Sequence, residues 1–156
     1  MRVLGVDTAS ERPDRGYAIA DSGRVVWFGS KPPTRNEWPI DVVAGERPWQ
    51  GGKLRGKAFT TFCVNNGFQL RDAIPTDLPL GTPRPLFVLL EVRDWKRLVL
   101  PGCERMPGDV FCANFRQKYA PHVTNHNHLD AMGIALAASR IPPAQMKKFI
   151  PKGFLR

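Results

Sequence analysis

The stretch Arg2-Val3-Leu4-Gly5-Val6 decides how the rest of the sequence is interpreted. It is short, apolar and contains β-branched residues, and it ends at Asp7, before a polar loop. This pattern predicts a buried strand with an acid at its C-terminal end. Next come two strand-like runs, Gly16–Ala20 and Arg24–Gly29, separated by the turn-forming residues Asp21-Ser22-Gly23. The first three strands are therefore predicted to form an antiparallel meander.

The remaining chain adds two strands and several helices. Asp41–Glu46 is predicted as a fourth strand, which again ends in an acid, and the continuous apolar run Leu86–Leu90 is typical of a strand at the centre of a covered sheet. Helices are predicted over residues 53–73, after a cap at Asp109 and after a cap at Asn127. Together these elements predict an α/β fold, a mixed five-stranded sheet flanked by helices, in one domain that covers residues 1–156.

The charge of the chain favours a polyanionic partner. Its 156 residues include 23 Lys and Arg against 14 Asp and Glu, a net charge of +9, which favours nucleic acid over the alternative of an acidic protein. No apolar run approaches the roughly 18 residues of a membrane span, and the carboxylate of Asp7 comes too early for a signal peptide. Three cysteines without an export signal are expected to be free thiols. We therefore expect a soluble intracellular protein that does not bind a membrane.

Three acids stand beside apolar residues that would lie near the core. Asp7 and Glu46 end predicted strands, and Asp130 lies in the first turn of a predicted helix. If the strands are adjacent and the helix packs across them, the carboxylates converge and repel one another unless a cation neutralises them. Carboxylate oxygens select Mg²⁺ or Mn²⁺, and in a basic protein this suggests phosphodiester hydrolysis by two metal ions. The alternative is that each acid is a turn residue or a helix cap.

Four segments occur in a characteristic order: Val3-Leu4-Gly5-Val6-Asp7-Thr8-Ala9-Ser10, Gly16-Tyr17-Ala18-Ile19, Val43-Ala44-Gly45-Glu46 and Asn127-His128-Leu129-Asp130-Ala131-Met132-Gly133-Ile134-Ala135. Together they resemble the RuvC family of Holliday-junction resolvases, over most of the chain. The resemblance implies an RNase H-like fold and an endonuclease that nicks opposing strands of four-way DNA junctions as a homodimer. The short chain resembles the resolvases of bacteriophages. This implies a role in DNA recombination and repair in the cytoplasm of a bacterial or phage-infected bacterial cell.

The resemblance also implies a metal site for two Mg²⁺ ions, which Mn²⁺ can replace. Carried over residue by residue, the metal ligands are Asp7, Glu46 and Asp130. The family's fourth ligand, usually acidic and sometimes His, corresponds to Asn127, whose amide oxygen can bind a hard cation. His126 and His128 flank this position and are alternative ligands. Another possibility is that Asn127 only caps the helix.

Further residues are matched to contacts with DNA. Lys96 follows the fifth strand, where the family has a Lys that approaches the scissile phosphate; the alternative is a solvated surface Lys. Trp49, three residues after Glu46, corresponds to an aromatic residue that wedges into the junction and can stack on a base, unless it is partly buried. The basic residues around it that would hold phosphates are Arg47, Lys53, Arg55 and Lys57.

The predicted helix over residues 53–73 carries rings for a dimer surface. These rings are Phe59, Phe62 and Phe68, which could equally belong to the core. The sequence departs from the family at Thr8-Ala9, where the family has Pro-Gly, and there is no room for a helix between the third strand and Glu46. We expect these departures to change the DNA-binding surface more than the chemistry.

Three other functions are compatible with the sequence. Another nuclease of the RNase H-like class, acting on RNA–DNA hybrids or flaps, would use the same metal site without the dimer helix or Trp49. A catalytically silent junction-binding module would explain Asn127 at a ligand position. A zinc module could use a set of cysteines and histidines, although eight residues between the cysteines is not the usual knuckle spacing: Cys103, Cys112, His122, His126 and His128.

Overall fold

The sheet brings together strands from the first two thirds of the chain. The computed structural model describes residues 1–8, 15–47 and 56–150, without the side chains at positions 59, 60 and 62. Within these ranges the strands are β1 (Arg2–Val6), β2 (Tyr17–Asp21), β3 (Arg24–Gly29), β4 (Val42–Arg47) and β5 (Leu86–Glu91). They form one sheet in the order β3-β2-β1-β4-β5. The first three strands are antiparallel, and β4 runs parallel to β1 and to β5. The predicted meander and mixed five-stranded sheet are confirmed.

Helices cover both faces of this sheet. They are α1 (Gly56–Asp72), α2 (Val92–Val99), α3 (Gly108–Tyr119) and α4 (His126–Ser139), with 3-10 turns at Arg35–Glu37 and Pro143–Phe149. The sequence did not predict α2, a short helix that follows β5 without a loop. The first residues of the predicted helix over 53–73 lie outside the described residues, and the rest of it is α1.

Two predicted helix caps are wrong. Pro107 is the N-cap of α3, and Asp109 lies inside its first turn. Asn125 is the N-cap of α4, because its side-chain oxygen accepts a hydrogen bond from the backbone N–H of Asn127 at 2.9 Å. This places Asn127 inside the helix, where its side chain is not needed as a cap.

The core has two parts, one on each face of the sheet. On one face, α2, α3 and α4 pack against alternating strand residues such as Val3 and Ala44. On the other face, α1 packs through Leu70 against residues such as Leu4 and Val43. This alternation follows from the period of two in a strand. The described helices include none long and apolar enough to cross a membrane, and the three cysteines are free thiols, as predicted.

The parallel strands β1 and β4 end at the same edge of the sheet. Their pairing stops at Gly5 and Ala44, whereas the pairing of β4 with β5 continues to Arg47 and Glu91. A side chain at Gly5 would lie 2.7 Å from the backbone nitrogen of Ala135, so glycine here lets α4 lie directly on β1. The ends of β1 and β4 therefore separate next to the N-terminal half of α4.

Candidate active site

Three acids from distant parts of the chain lie near this edge. Asp7 follows β1 directly and is only 4% exposed, and its N–H donates to the backbone oxygen of Gly16 at 3.0 Å. Glu46 is the penultimate residue of β4, and Asp130 lies in the first half of α4. The negative charges of Asp7 and Asp130 both act on the Glu46 carboxyl. The three acids thus influence one another electrostatically, and their role as a shared site stays a prediction.

Burial and mutual repulsion make these carboxyls hold their protons unusually strongly. Burial, followed by the charges of Asp130 and Asp7, raises the pKa of Glu46 from 4.5 to about 8. Burial and the charge of Asp7 raise the pKa of Asp130 from 3.8 to about 7. Without a cation, the site therefore carries protons at neutral pH, and it would release them to a positive ion.

Lys96 supplies a positive charge close to the carboxyls. It lies on α2, and its charge lowers the pKa of both Glu46 and Asp130 against the larger effect of burial. Its ammonium nitrogen lies 4.7 Å from the ring centroid of Phe111, a cation–π contact that orients the side chain. The charge of Lys96 thus acts on two of the acids, while its predicted contact with the scissile phosphate stays a prediction.

Asn127 and its neighbours differ in orientation. Asn127 is 5% exposed and lies three residues before Asp130 on α4, so the two side chains share a face of the helix. His128 instead turns toward β3, where its Nε2 lies 2.8 Å from the hydroxyl of Ser30 and its ring contacts Phe28. Of the predicted fourth ligands, Asn127 and the exposed His126 remain on the side of Asp130.

The donor set fits a hard divalent cation in its chemistry, because it offers carboxyl and amide oxygens in a largely buried site. Among the described residues, however, no three Asp, Glu, His or Cys side chains are arranged as a group that could hold a metal ion. One oxygen of Glu46 accepts a hydrogen bond from Trp95 Nε1 at 2.7 Å, which leaves the other oxygen for an ion. The carboxylates would have to draw together around an ion. For the same reason, the described part of the chain contains no ligand group for the zinc module.

Solved structures with the same fold identify its type. The structure of Thermus thermophilus RuvC aligns with a TM-score of 0.53 and 14% sequence identity, over 97% of this chain and 99% of that chain. The chain has a RuvC-like fold. The structure of T. thermophilus RuvC in complex with a Holliday junction substrate aligns over the same shares, with 13% identity and a TM-score of 0.48. No protein-family model and no curated protein matches the sequence.

The predicted RNase H-like architecture is thus confirmed as a RuvC-like fold, while its bacteriophage type stays a prediction. The residues that the RuvC resemblance assigned to DNA are described only in part. Trp49, Lys53 and Arg55 lie outside the described residues. Lys57 is exposed in the first turn of α1. Arg47 pairs with Glu91 at 3.3 Å across β4 and β5, so a phosphate would compete with this carboxylate.

The structure describes only part of the predicted dimer surface. Phe68 on α1 is 51% exposed, whereas Leu70 is buried against the sheet. The side chains of Phe59 and Phe62 are outside the described set. For Phe68, the alternative of a core position is wrong, and dimerisation stays a prediction.

Sequence reasoning missed the residues that hold Glu46. Thr8, Asn66 and Trp95 each form a hydrogen bond with it. The signals were weak: Thr8 is adjacent to a predicted ligand, and Trp95 precedes Lys96. Asn66 is a buried polar residue on α1, and only the packing of that helix shows its partner.

Proposed function

We propose that this protein is a metal-dependent endonuclease that binds four-way DNA junctions as a homodimer and nicks opposing strands symmetrically. The observation that supports this most directly is the convergence of Asp7, Glu46 and Asp130, whose charges act on one another at the shared end of β1 and β4. The RuvC-like fold and the net charge of +9 agree with it. The whole chain would act as one nuclease domain.

In this proposal the three acids and Asn127 hold two Mg²⁺ ions, which Mn²⁺ can replace. Bound there, the ions would activate a water molecule and neutralise the leaving oxygen. The protein supplies the rest. The carboxylates alone would repel a phosphodiester, so they bind DNA productively only when their charge is balanced. Lys96, held over the ring of Phe111, stabilises the negative charge that develops on the phosphate.

The DNA is bound around this site by basic and aromatic residues. Trp49 stacks on a base exposed at the junction, and the proposed phosphate contacts are Arg47, Lys53, Arg55 and Lys57. Two active sites are needed to cut two symmetry-related strands, which is the reason for a homodimer, with α1 and its exposed Phe68 at the interface. The protein would act in recombination and repair in the cytoplasm of a bacterial or phage-infected cell.

A cleavage assay with three substrates tests the proposal. The purified protein is incubated with a four-way junction, a duplex of the same sequence and an RNA–DNA hybrid, each with Mg²⁺ or with EDTA. We expect paired symmetric nicks in the junction only, and none with EDTA. Asp7→Asn should abolish nicking but keep junction binding, while the control Asp77→Asn, at an exposed ion pair with Arg35, should cut normally.

The other outcomes assign the protein differently. Cutting of the hybrid instead of the junction would indicate another nuclease activity of this fold. Tight junction binding without cutting, with either Mg²⁺ or Mn²⁺, would indicate a silent binding module. Normal cutting by Asp7→Asn would refute the assignment of the site.

A further inference from the structure

The backbone of Glu46 is held by a side chain that takes the place of a strand. The pairing of β1 with β4 has already ended at Gly5 and Ala44, so within the described ranges no strand pairs with the backbone groups of Glu46 on that side. The hydroxyl of Thr8 accepts from the N–H of Glu46 at 3.0 Å and donates to its backbone oxygen at 3.0 Å. One hydroxyl thus joins the separated ends of β1 and β4.

A second side chain holds the same backbone oxygen from the other layer. Asn66, buried on α1, donates its side-chain N–H to the Glu46 oxygen at 2.6 Å. The backbone of Glu46 is therefore held by Thr8, just after β1, and by Asn66 on α1. This backbone cannot rotate without leaving buried polar groups unpaired, which is unfavourable.

The carboxyl of Glu46 is held separately by Trp95. The indole N–H donates to one carboxyl oxygen at 2.7 Å, and the indole is itself enclosed, because Trp95 is 1% exposed and packs edge-on against Phe111. The hydrogen bond thus limits where the second oxygen of Glu46 can point.

Two glycines make room for these two side chains. A Cβ at Gly45 would lie 2.6 Å from the methyl carbon of Thr8. A Cβ at Gly133, on α4, would run into the ring of Trp95. The close approach of Thr8 and Trp95 to Glu46 therefore depends on the absence of side chains at both positions.

We propose that Thr8 and Trp95 are positioning residues that fix the backbone and one carboxyl oxygen of Glu46, so that its other oxygen stays available to a divalent cation shared with Asp7 and Asp130. Thr8 acts through the backbone and Trp95 through the carboxyl. This inference rests on the proposed function, because it assumes that the acids bind metal. It assigns a role to Thr8 at a position where the sequence departs from the family pattern.

Four variants separate positioning from general stability. Thr8→Val keeps the shape but removes the hydroxyl, and Thr8→Ser restores the hydroxyl. Trp95→Phe removes the indole N–H. Its matched control is Trp38→Phe, because the Nε1 of Trp38 is buried with no hydrogen-bond partner among the described residues and so loses none on substitution. Far-UV circular dichroism and thermal melting establish that each variant is folded.

The deciding measurement is Mn²⁺ binding to the protein without DNA, by titration calorimetry or by electron paramagnetic resonance of free Mn²⁺. We expect Thr8→Val and Trp95→Phe each to weaken Mn²⁺ binding about 10-fold or more, the range found when residues that orient metal ligands are removed. Thr8→Ser and Trp38→Phe should stay within about 2-fold of the wild type. The Mg²⁺ concentration for half-maximal nicking should shift in the same order.

The outcomes distinguish the two proposals. Equal Mn²⁺ affinity in the wild type, Thr8→Val and Trp95→Phe would overturn the positioning role while leaving the nuclease proposal intact. A wild-type protein that binds no Mn²⁺ would overturn the proposed metal site and this inference with it. If Thr8→Val does not fold, the Mn²⁺ affinity of Trp95→Phe is compared with that of Trp38→Phe to test the indole. The Mn²⁺ affinity of Thr8→Ser is compared with that of Thr8→Ala to test the hydroxyl.

Discussion

The charge of Glu46 is expected to destabilise the metal-free protein as the pH rises through neutrality. The perturbation that tests this is Glu46→Gln, studied in EDTA. Glutamine keeps a side-chain oxygen that can accept the hydrogen bond from Trp95, which is 2.7 Å long in the structure. The substitution therefore removes the charge and retains the contact, so it imitates the protonated carboxyl.

The sign follows from the direction of the pKa shift. Because the pKa of Glu46 is raised from 4.5 to about 8, the folded protein binds this proton more strongly than the unfolded chain. Stability is then lost as the pH rises from about 4.5 to about 8, and it is constant above that. The loss disappears in Glu46→Gln, which carries no charge at any of these pH values.

The magnitude follows from the size of the shift. One pKa unit corresponds to about 1.4 kcal/mol. The shift from 4.5 to about 8 therefore corresponds to a loss of folding stability of at most about 5 kcal/mol. Part of this free energy is the repulsion between Glu46 and Asp130. This repulsion raises the pKa of both groups but contributes only once to stability. We therefore expect Glu46→Gln to be about 2–4 kcal/mol more stable than the wild type at pH 8.5, and within about 1 kcal/mol at pH 5.

Urea unfolding followed by far-UV circular dichroism, at pH 5 and pH 8.5 in EDTA, measures this difference. The control is Asp77→Asn, which removes one member of an exposed pair 3.8 Å from Arg35 and should change stability by less than about 0.5 kcal/mol at either pH. Adding Mg²⁺ at pH 8.5 should stabilise the wild type more than Glu46→Gln. A Glu46→Gln variant no more stable than the wild type at pH 8.5 in EDTA would refute the reasoning.

Three further predictions concern the same site. Mn²⁺ binding should release about one proton or more at pH 7 and tighten toward pH 8, because the raised pKa values leave the carboxyls protonated. Calorimetry in two buffers with different heats of ionisation measures the proton release. Binding heats that do not depend on the buffer would contradict it. Lys96→Met should slow single-turnover nicking about 100-fold with little loss of junction binding, and an unchanged rate would exclude Lys96 from the chemistry. Gly133→Ala should lower the free energy of unfolding by about 1–3 kcal/mol, because the added methyl group overpacks against Trp95. The control is Gly108→Ala, whose Cβ meets nothing within 4 Å, and it should melt no lower than the wild type.

The strands were predictable because their signal is local. The runs at Arg2–Val6 and Arg24–Gly29 have the bounds in the structure that the sequence predicts, since apolar β-branched residues and turn residues act over a few positions. The helix α2 was missed because a helix of two turns without a preceding loop has little periodicity to detect. The caps at Pro107 and Asn125 were missed because neighbouring residues compete to end a helix and only its packing decides.

The contacts of the site were not predictable in the same way. Trp95 reaches Glu46 across 49 residues, and Asn66 reaches it across 20. The ion pair of Arg47 with Glu91 depends on the register of β4 and β5, and nothing near Arg47 in the sequence indicates it. The pKa of Glu46 likewise depends on burial by elements that are remote in the chain.

The sequence by itself determined the positions of the strands, the acids that follow them and the excess of positive charge, because each depends on residue type and near neighbours alone. Only the tertiary structure decided that Asp7, Glu46 and Asp130 interact, and that Thr8 and Trp95 hold the second of them. The reason is physical. Hydrogen bonds and charge interactions at this site act over a few ångströms, and folding brings residues within that distance from positions that the sequence keeps far apart.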